Sequence, residues 1–559
     1  MTTPTVQERD ETAPTQHPAT TPLHRWGWLA GMLGAAAALA VGELFANFNE
    51  SVNSLVTSIG EIVIDVTPGD LVAESINTIG QLQKPLLLGG ITVVAILVGG
   101  WIGDRGRRQS WFVPAGFGLF GLIGGWAGAR SELTSASASF GVAIFAAFIG
   151  IVVTQLLLTS ATPSVHTPQR PADNDVVVPG SPLSKAGDRR RFLAFGGAAL
   201  GTAAVYAGSR TGRTTAAERA REELLTNAAS STTTTVADGA TASTIADPVM
   251  AAGEFDGIPG ITSHITPINP TDEFYLIDTA LTKPQVDPAN WSLTIDGEYV
   301  TTPVSYTFDE LLNRDLIEKE VTLSCVSNPV GGGLVGNAVW QGIPLSELFE
   351  EAGIIDPTDA NTQVFSRSVD GFTCGFPTPL AYDGRTAMLA VRMNGEPLPI
   401  KHGFPARIVV AGLYGYVSAT KWIEKISITD WIGVDGFWMP RGWSKEGPIK
   451  TQSRIDVPRS GQQIKPGPTT LGGIAWSPTI GIDGVEVSFA EDEWVEAELA
   501  DIDSDETWVQ WKLDWDPDPA DYTIQVRATD KSGFTQSPIP VAPAPNGAEG
   551  YHTIRVRVG

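Results

Sequence analysis

Residues 320–340 have the sequence Glu320-Val-Thr-Leu-Ser-Cys325-Val-Ser-Asn-Pro-Val-Gly331-Gly-Gly-Leu-Val-Gly-Asn-Ala-Val-Trp340. A short β-type run at 321–323 precedes Cys325, and a glycine-rich loop at 331–333 follows it. Glycine lets the backbone approach another group closely, so a thiol in this setting could hold a soft metal or attack a substrate. Free cysteines are also often simply buried, and position alone leaves both interpretations open.

The segments Thr322-Leu-Ser-Cys-Val-Ser-Asn328 and Gly336-Asn-Ala-Val-Trp340 together resemble the cysteine loop of the sulfite oxidase family of molybdopterin enzymes. A second stretch, from His402-Gly-Phe-Pro-Ala-Arg407 to Lys421-Trp422, resembles the pterin-binding segment of the same family. The resemblance extends from about Glu273 to the C-terminus, which is more than half of the chain.

The resemblance implies a mixed α+β domain around a molybdenum atom that is held by the dithiolene of molybdopterin and by one protein cysteine. Cys325 would be that metal ligand and the catalytic residue, and a thiolate suits such a centre. The resemblance also assigns contacts with the pterin or its phosphate to seven residues: Tyr275, Asp370, His402, Arg407, Ala419, Thr420 and Lys421. Basic side chains have the right chemistry for an anionic ligand.

The sequence departs from the family where sulfite oxidases carry arginines that neutralise an oxyanion. Residues 326–330 are Val-Ser-Asn-Pro-Val, and the segment Tyr275-Leu-Ile-Asp-Thr279 has an apolar residue in place of an arginine. Losing such charge-assisted contacts would weaken anion binding by a few kcal/mol, roughly. We therefore expect a less charged substrate than sulfite, such as a sulfoxide or another small oxo-transfer partner.

The composition excludes some classes of protein. With 37 basic and 62 acidic residues, the chain would repel a phosphate backbone, so we expect no nucleic-acid partner. The two cysteines, Cys325 and Cys374, lack the paired spacing of zinc or iron-sulfur sites. Pairing them in a disulfide would consume the thiolate that the resemblance requires, and Cys374 is interpreted as structural or as a second thiol near the site.

The N-terminal part predicts a transmembrane α-helical bundle. After a tail at 1–24 that lacks an apolar period, four apolar runs approach the roughly 20 residues needed to cross a hydrocarbon core. These runs are 26–42, 85–103, 111–129 and 140–158. The loop after the first run is acidic, whereas the next short loop carries Arg105, Arg107 and Arg108, which predicts a cytoplasmic N-terminus. None of the runs contains a histidine for a haem.

A fifth apolar run, 192–208, follows Asp188-Arg-Arg-Arg-Phe-Leu193. The arginines resemble a twin-arginine export motif, although Asp188 replaces the usual Ser or Thr. An ordinary positive-inside flank is compatible with the same residues. Both interpretations place the C-terminal half outside the cytoplasm.

Local patterns predict several elements of the C-terminal half. Residues 216–227 predict a short helix in a flexible tether, 291–297 an edge strand, and 307–312 and 345–352 two more helices. Trp438 and Trp443 could line a substrate entrance, but aromatic packing at a domain junction is the favoured interpretation. From about Thr451, six short runs predict an immunoglobulin-like β-sandwich, at 470–477, 484–489, 494–499, 508–511, 522–528 and 553–558.

The chain therefore divides into seven predicted parts. They are a cytoplasmic tail (1–24), a transmembrane region (25–160), a linker with the arginine cluster (161–191), a fifth transmembrane helix (192–210), a flexible linker (211–252), a molybdopterin-binding domain (253–450) and the β-sandwich (451–559). The last domain often mediates dimers in the resembled family, which leaves a homodimer open here.

We interpret the sequence as a membrane-anchored, extracytoplasmic molybdopterin-dependent oxidoreductase, since Cys325 and the pterin-type segment occur together in order. With no haem motif in the chain, electrons would pass to a separate carrier or to the quinone pool. A membrane-tethered binding or adhesion protein that keeps the fold without the metal is the alternative. A cysteine hydrolase lacks a histidine close in sequence to Cys325.

Overall fold

The structure is a computed structural model that describes residues 23–49, 52–68, 82–130, 134–161, 215–231, 267–490 and 493–559, with the single positions 71, 75 and 79. Most of the predicted tail, the arginine cluster, the predicted fifth span and most of the tether lie outside the described residues. The chain divides into two compact units. The first contains the described residues of Met1–Ile59, Leu88–Arg130 and Thr134–Thr211, and the second contains those of Gly60–Leu87, Ser131–Leu133 and Gly212–Gly559.

The N-terminal region is helical at all four predicted apolar runs. Three helices are long and apolar enough to cross a membrane, but the third run forms a helix of only 17 residues. All four predicted apolar runs are thus helical, three of them meet the length expected of a membrane span, and a fourth span stays a prediction. A further short helix follows the first long one. The five helices are α1 (Leu23–Phe48), α2 (Leu55–Val66), α3 (Gln83–Gly106), α4 (Phe112–Gly128) and α5 (Ala136–Ala161).

Glycines allow the helices of this region to touch through their backbones. A Cβ atom on Gly31 of α1 would lie 2.0 Å from the carbonyl oxygen of Gly99 in α3. In α4, a Cβ atom on Gly125 would lie 2.5 Å from the ring of Phe140, whereas one on Gly118 would meet no atom within 4 Å. Small residues at such crossings permit the short interhelical distances that favour association of apolar helices.

The catalytic part of the second unit contains two five-stranded sheets. One has the strand order β2-β1-β10-β5-β6, and the other has the order β3-β4-β7-β8, with β9 also paired to β7. The strands are β1 (Ser292–Gly297), β2 (Val304–Thr307), β3 (Ile317–Ser324), β4 (Val335–Pro344), β5 (Thr362–Ser368), β6 (Thr373–Pro377), β7 (Ala387–Met393), β8 (Glu396–Pro397), β9 (Arg407–Val410) and β10 (Ile423–Asp430). The helices are α6 (Ala216–Ser231), α7 (Phe308–Leu312), α8 (Leu345–Ala352) and α9 (Gly415–Ser418).

The locally encoded helices are confirmed, whereas one sheet position was predicted wrongly. Thr307 caps α7 in a capping box with Glu310, and α8 buries one apolar face as its pattern predicts. Helix α6 also forms, and it continues to Ser231. The predicted edge strand is β1, which is flanked on one side by β2 and on the other by β10. Its parallel partner comes from far along the chain, so local alternation could not reveal it.

The C-terminal part packs two sheets around one core. Their strand orders are β11-β13-β17-β16 and β12-β19-β18-β14-β15. Trp511 and Leu471 on the first sheet share this core with Val487, Val526 and Ile554 on the second. The strands are β11 (Gln452–Val457), β12 (Gln463–Ile464), β13 (Thr469–Trp476), β14 (Ile482–Ala490), β15 (Glu493–Glu496), β16 (Glu498–Leu499), β17 (Val509–Trp515), β18 (Asp521–Asp530) and β19 (His552–Val558).

The predicted runs of this domain all contain strands, but 494–499 is divided between two of them. A two-sheet arrangement fits the predicted sandwich, and the immunoglobulin-like topology stays a prediction. The domain is joined to the catalytic part through β3. Trp508 N donates to Thr322 Oγ1 at 2.7 Å, and Thr322 N donates to Glu506 O at 3.0 Å. The C-terminal domain thus helps to fix the strand that leads to Cys325.

Candidate functional site

Cys325 lies directly after β3, where the chain leaves the sheet before returning as β4. Its backbone N donates to Leu334 O at 2.9 Å, and its Sγ is 2.9 Å from Ser327 Oγ. The residue is 8% exposed, and burial raises the pKa of the thiol while the contacts with Ser327 oppose that shift. Such a buried thiol loses its proton most readily when a metal ion or another positive charge lies close enough to stabilise the thiolate.

The glycine loop after Cys325 is held by the C-terminal domain. Arg454 Nη1 donates to Gly332 O at 2.8 Å. Gly331 has a φ of +73°, and a Cβ atom there would lie 2.1 Å from the ring of His552. The expected close backbone approach is therefore confirmed at Gly331. Sequence patterns did not identify Arg454 or His552, because both contacts cross about 100 residues or more of intervening chain.

His552 is a half-buried imidazole whose Nδ1 accepts a hydrogen bond from Ile455 N at 2.9 Å. Burial and then Arg454 lower its pKa from 6.5 to about 4. Between pH 4 and pH 6.5, His552 carries a proton in the unfolded chain but is largely unprotonated in the folded one. The free energy of unfolding therefore rises with pH in this range. This group alone would contribute up to about 1.4 kcal/mol per pH unit. We expect His552→Asn, whose Oδ1 can accept from Ile455, to flatten the profile measured by denaturant unfolding. A variant with the wild-type slope would contradict this assignment.

Arg407, at the start of β9, is a buried cation. It is 5% exposed, its guanidinium lies 4.9 Å from the centre of the Trp340 ring, and its Nη1 donates to His402 O at 3.3 Å. Burial lowers its pKa to about 10. Within the described part of the chain, no carboxylate forms an ion pair with it. A buried guanidinium without a protein anion favours an anionic ligand, because burying an uncompensated charge is costly.

His402 lies beside this cation and is held neutral. The residue is 1% exposed, and its Nε2 donates to Thr271 O at 3.2 Å. Burial, Arg407, Lys421 and Lys401 together lower its pKa to about 3. The imidazole therefore offers Nδ1 as an acceptor, and it adds no charge to a pocket that is already positive.

Lys421 belongs to a cluster of three lysines around one carboxylate. Its Nζ donates to Asp278 Oδ2 at 2.7 Å, and Lys84 and Lys283 pair with the same carboxylate. The Asp278 side chain is 5% exposed. Burial acts to raise its pKa, but the three ammonium groups together lower it. The three lysines outnumber Asp278 and Asp370, the two carboxylates that interact with them, so the cluster, like Arg407, suits an added anion.

Tyr275 connects the cysteine loop to the basic residues. It stacks on Phe274 at 5.1 Å between ring centres, and it is close enough to Cys325 and to Arg407 to interact electrostatically with both. Asp370 interacts electrostatically with Asp278 and Lys421, and burial raises its pKa. The structure thus brings five of the predicted positions, Tyr275, Asp370, His402, Arg407 and Lys421, into one electrostatically coupled region near Cys325.

The remaining two predicted positions are placed differently. Thr420 is fully buried, with its hydroxyl 2.6 Å from Ser366 Oγ and 3.1 Å from Cys374 Sγ. Ala419 N donates to Gly415 O at 3.0 Å, at the end of α9. Cys374 is a free, buried thiol within this hydroxyl network. Its surroundings support the structural interpretation, and Cys325 is likewise free.

Trp438 and Trp443 form an aromatic cluster with Tyr416. Trp443 is 6% exposed, its ring centre is 6.0 Å from that of Trp438 and 5.9 Å from that of Tyr416, and its Nε1 is buried without a partner. Arg441 lies over the Phe437 ring at 3.8 Å. Packing accounts for most of these contacts.

The side chains of this region fit an anionic pterin that carries a soft metal. Arg407 supplies a buried guanidinium that forms no ion pair with a carboxylate among the described residues, and Lys421 belongs to a cluster of three lysines. Cys325 supplies one buried sulfur, and the Arg407 guanidinium lies over Trp340 on the strand next to β3. A phosphate or pterin anion would balance the positive charges of Arg407 and Lys421, and a thiophilic metal would replace the proton of the Cys325 thiol.

Comparison with known proteins agrees with this geometry. Residues 280–438 match the family described as oxidoreductase molybdopterin binding domain. Mitochondrial sulfite oxidase of Homo sapiens is 29% identical over 331 residues, which cover 50% of this chain and 58% of that protein. The uncharacterized oxidoreductase YuiH of Bacillus subtilis (strain 168) is 30% identical over 179 residues, which cover 32% of this chain and 85% of that protein.

A solved structure, the sulfane dehydrogenase SoxCD from Paracoccus pantotrophus, matches with a TM-score of 0.45 and 22% identity. The matched region covers 58% of this chain and 94% of the chain in that solved structure. This chain spans about half the length of the sulfite oxidases that it matches.

Proposed function

This chain belongs to the sulfite oxidase type of molybdopterin-dependent oxidoreductases, and from that premise we propose that it is a membrane-anchored enzyme working outside the cytoplasm. Its cofactor is molybdenum-molybdopterin. The observation that carries the proposal is that the buried Arg407 guanidinium lies over the ring of Trp340 on β4. Strand β4 is paired with β3, and Cys325 follows the end of β3. The candidate metal ligand and the candidate anion-binding group are thus connected through one pair of strands.

Each side chain has a role that its surroundings support. When bound, the cofactor supplies two-electron oxo transfer at molybdenum. Cys325 would hold the metal, and Ser327, 2.9 Å from its sulfur, would stabilise the thiolate by a hydrogen bond. Arg407 and Lys421 would bind the anionic parts of the pterin, and neutral His402 would offer a hydrogen-bond acceptor. Burial of these groups excludes water and strengthens their interactions with charge.

A weakly charged substrate is favoured over sulfite. Arg454 is the arginine that contacts the cysteine loop in the described structure, and its Nε is paired with Asp456 Oδ1 at 2.9 Å. This pairing balances its charge, so it offers little attraction to an oxyanion. We infer that the substrate is a small sulfoxide-like or similar oxo-transfer molecule.

Three apolar helices support membrane anchoring. The acidic first loop and the arginines at 105–108 support a cytoplasmic N-terminus and an external catalytic unit. Electrons would be exchanged with a separate carrier or with the quinone pool. A homodimer through the C-terminal domain is compatible with this arrangement.

Metal analysis of the full chain, made in cells that synthesise molybdopterin, tests the proposal. We expect about one molybdenum and one pterin per chain, together with sulfoxide reduction by reduced electron donors. A purified chain without molybdenum and pterin would favour the membrane-tethered binding protein instead. Rapid oxidation of sulfite by the loaded protein would overturn the substrate assignment alone.

A further inference from the structure

Lys84 reaches the cofactor region from a distant part of the chain. Its Nζ donates to Asp278 O at 2.8 Å, to Asp278 Oδ1 at 2.9 Å and to Ala280 O at 2.7 Å. All three donors of the ammonium are thus used by one short loop, 194 to 196 residues away in sequence. Three simultaneous bonds to two backbone carbonyls and a carboxylate fix the position of that loop, here called the Asp278 loop (residues 278–280).

The Asp278 loop is joined to the proposed cofactor groups on both sides. Three and four residues before Asp278 are Tyr275 and Phe274, which stack on each other, and the Phe274 ring packs against those of Trp340 and His402 at 5.7 and 5.6 Å. The carboxylate oxygen of Asp278 that Lys84 leaves free, Oδ2, accepts from Lys421 at 2.7 Å. Movement of the Asp278 loop would therefore displace Tyr275 and release Lys421 from its partner.

Lys84 belongs to a segment that makes further contacts with the same compact unit. This connecting segment, residues 60–87, is grouped with the catalytic part. Asp65 Oδ1 is 3.5 Å from Arg441 Nη2. Burial, then Asp370 and Asp65, raise the pKa of Glu61 to about 7. Asp278, which pairs with Lys84, and Asp370, which influences Glu61, both interact electrostatically with Lys421.

We propose that Lys84 is a positioning residue that locks the Asp278 loop and thereby retains the molybdopterin cofactor. This inference rests on the molybdopterin cofactor that is part of the proposed function. Lys84 does not need to touch the pterin for this role. It holds the loop that holds Tyr275 and Lys421, and the two other lysines on Asp278 cannot replace its bonds to the carbonyls of Asp278 and Ala280.

Cofactor release from the full chain in detergent tests the role. Purified, loaded protein is diluted, and pterin and molybdenum remaining on the protein are followed over time. We expect Lys84→Met to release pterin roughly tenfold faster than wild type, as removal of groups that support a metal site often does. Lys84→Gln, which keeps one donor, should lie between them. Lys84→Arg should restore much of the retention, which a merely space-filling side chain would not require.

Lys425→Met is the matched control. Lys425 also pairs with an aspartate, Asp296, at 2.7 Å, and its side chain is 42% exposed against 36% for Lys84. We expect this variant to retain pterin like wild type. Release from Lys84→Met and Lys84→Gln at the wild-type rate would overturn the role of Lys84 and leave the proposed function intact. A wild-type chain that carries no pterin would overturn the proposed function, and this inference with it.

Discussion

Replacing Cys325 by serine is expected to remove molybdenum-dependent turnover almost completely. The buried side chain would then offer an alcohol, which is a harder donor than a thiolate and keeps its proton at neutral pH. The substitution is nearly isosteric, so the loss would report on the sulfur rather than on packing. We expect turnover to fall by at least about 100-fold, since even supporting residues at metal sites often cost 10- to 100-fold. Turnover per chain and molybdenum content are the measurements.

Cys374→Ser provides the matched control. Cys374 is the second free, buried cysteine, and its Sγ lies 3.1 Å from Thr420 Oγ1, a contact that a serine hydroxyl can keep. This variant should retain molybdenum and turnover. Full activity in Cys325→Ser, or an equal loss in both variants, would remove the assignment of Cys325 as the ligand.

Much of the fold was predictable because it is encoded locally. Helix α7 depends on Thr307 and Glu310, three residues apart, and α8 depends on apolar residues at helical spacing. The strands of the C-terminal domain follow from alternation within each run. Long apolar runs likewise predict helices without knowledge of their neighbours. In these cases, the residues that determine an element lie within one or two helical turns or within one strand.

The predictions that failed concern residues that pair with partners far away in the sequence. Strand β1 was predicted at an edge, but β10 pairs with it in parallel from about 130 residues further on. Asp278 was noted only as part of a segment that lacks an arginine, although three lysines meet at its carboxylate. No local pattern shows which lysines will reach a given aspartate. Arg454 and His552 were missed for the same reason.

The predicted site residues show a similar division. His402, Arg407 and Lys421 lie in one motif-bearing region, and their side chains influence one another electrostatically. Thr420 lies in the same motif, yet its hydroxyl is directed to Ser366 and Cys374 inside the protein. A motif identifies a segment, whereas the direction of each side chain depends on the tertiary packing around it. The roles assigned to these residues therefore stay predictions until variants are measured.

Replacing Arg407 by methionine is expected to have opposite effects on the empty and the loaded protein. The guanidinium is 5% exposed, and burial lowers its pKa to about 10, so the charge is held in a poorly solvating environment. Without a bound anion this charge opposes folding. Methionine keeps much of the side-chain stem against Trp340 and removes the charge. The empty variant should therefore unfold at a higher temperature than the empty wild type.

The loaded protein should respond in the other direction. A hydrogen bond to a charged group contributes about 1.5–3 kcal/mol, so its loss should weaken pterin binding by about 10- to 100-fold. Arg407→Lys keeps the charge but loses the planar fork of donors, and it should lie between wild type and Arg407→Met. Thermal unfolding with and without cofactor, together with pterin content after dilution, gives both quantities for each variant.

Arg392→Met separates the effect of this site from that of removing any partly buried arginine. Arg392 lies on β7, its Nε is buried without a hydrogen-bond partner, and burial lowers the pKa of its guanidinium. We expect this variant to hold pterin as wild type does, because Arg392 is not among the groups coupled to Cys325, Tyr275 or Lys421. If Arg407→Met bound pterin as tightly as Arg392→Met, the buried guanidinium would not be the anion-binding group, and the binding of an anionic pterin would have to depend on the lysines around Asp278.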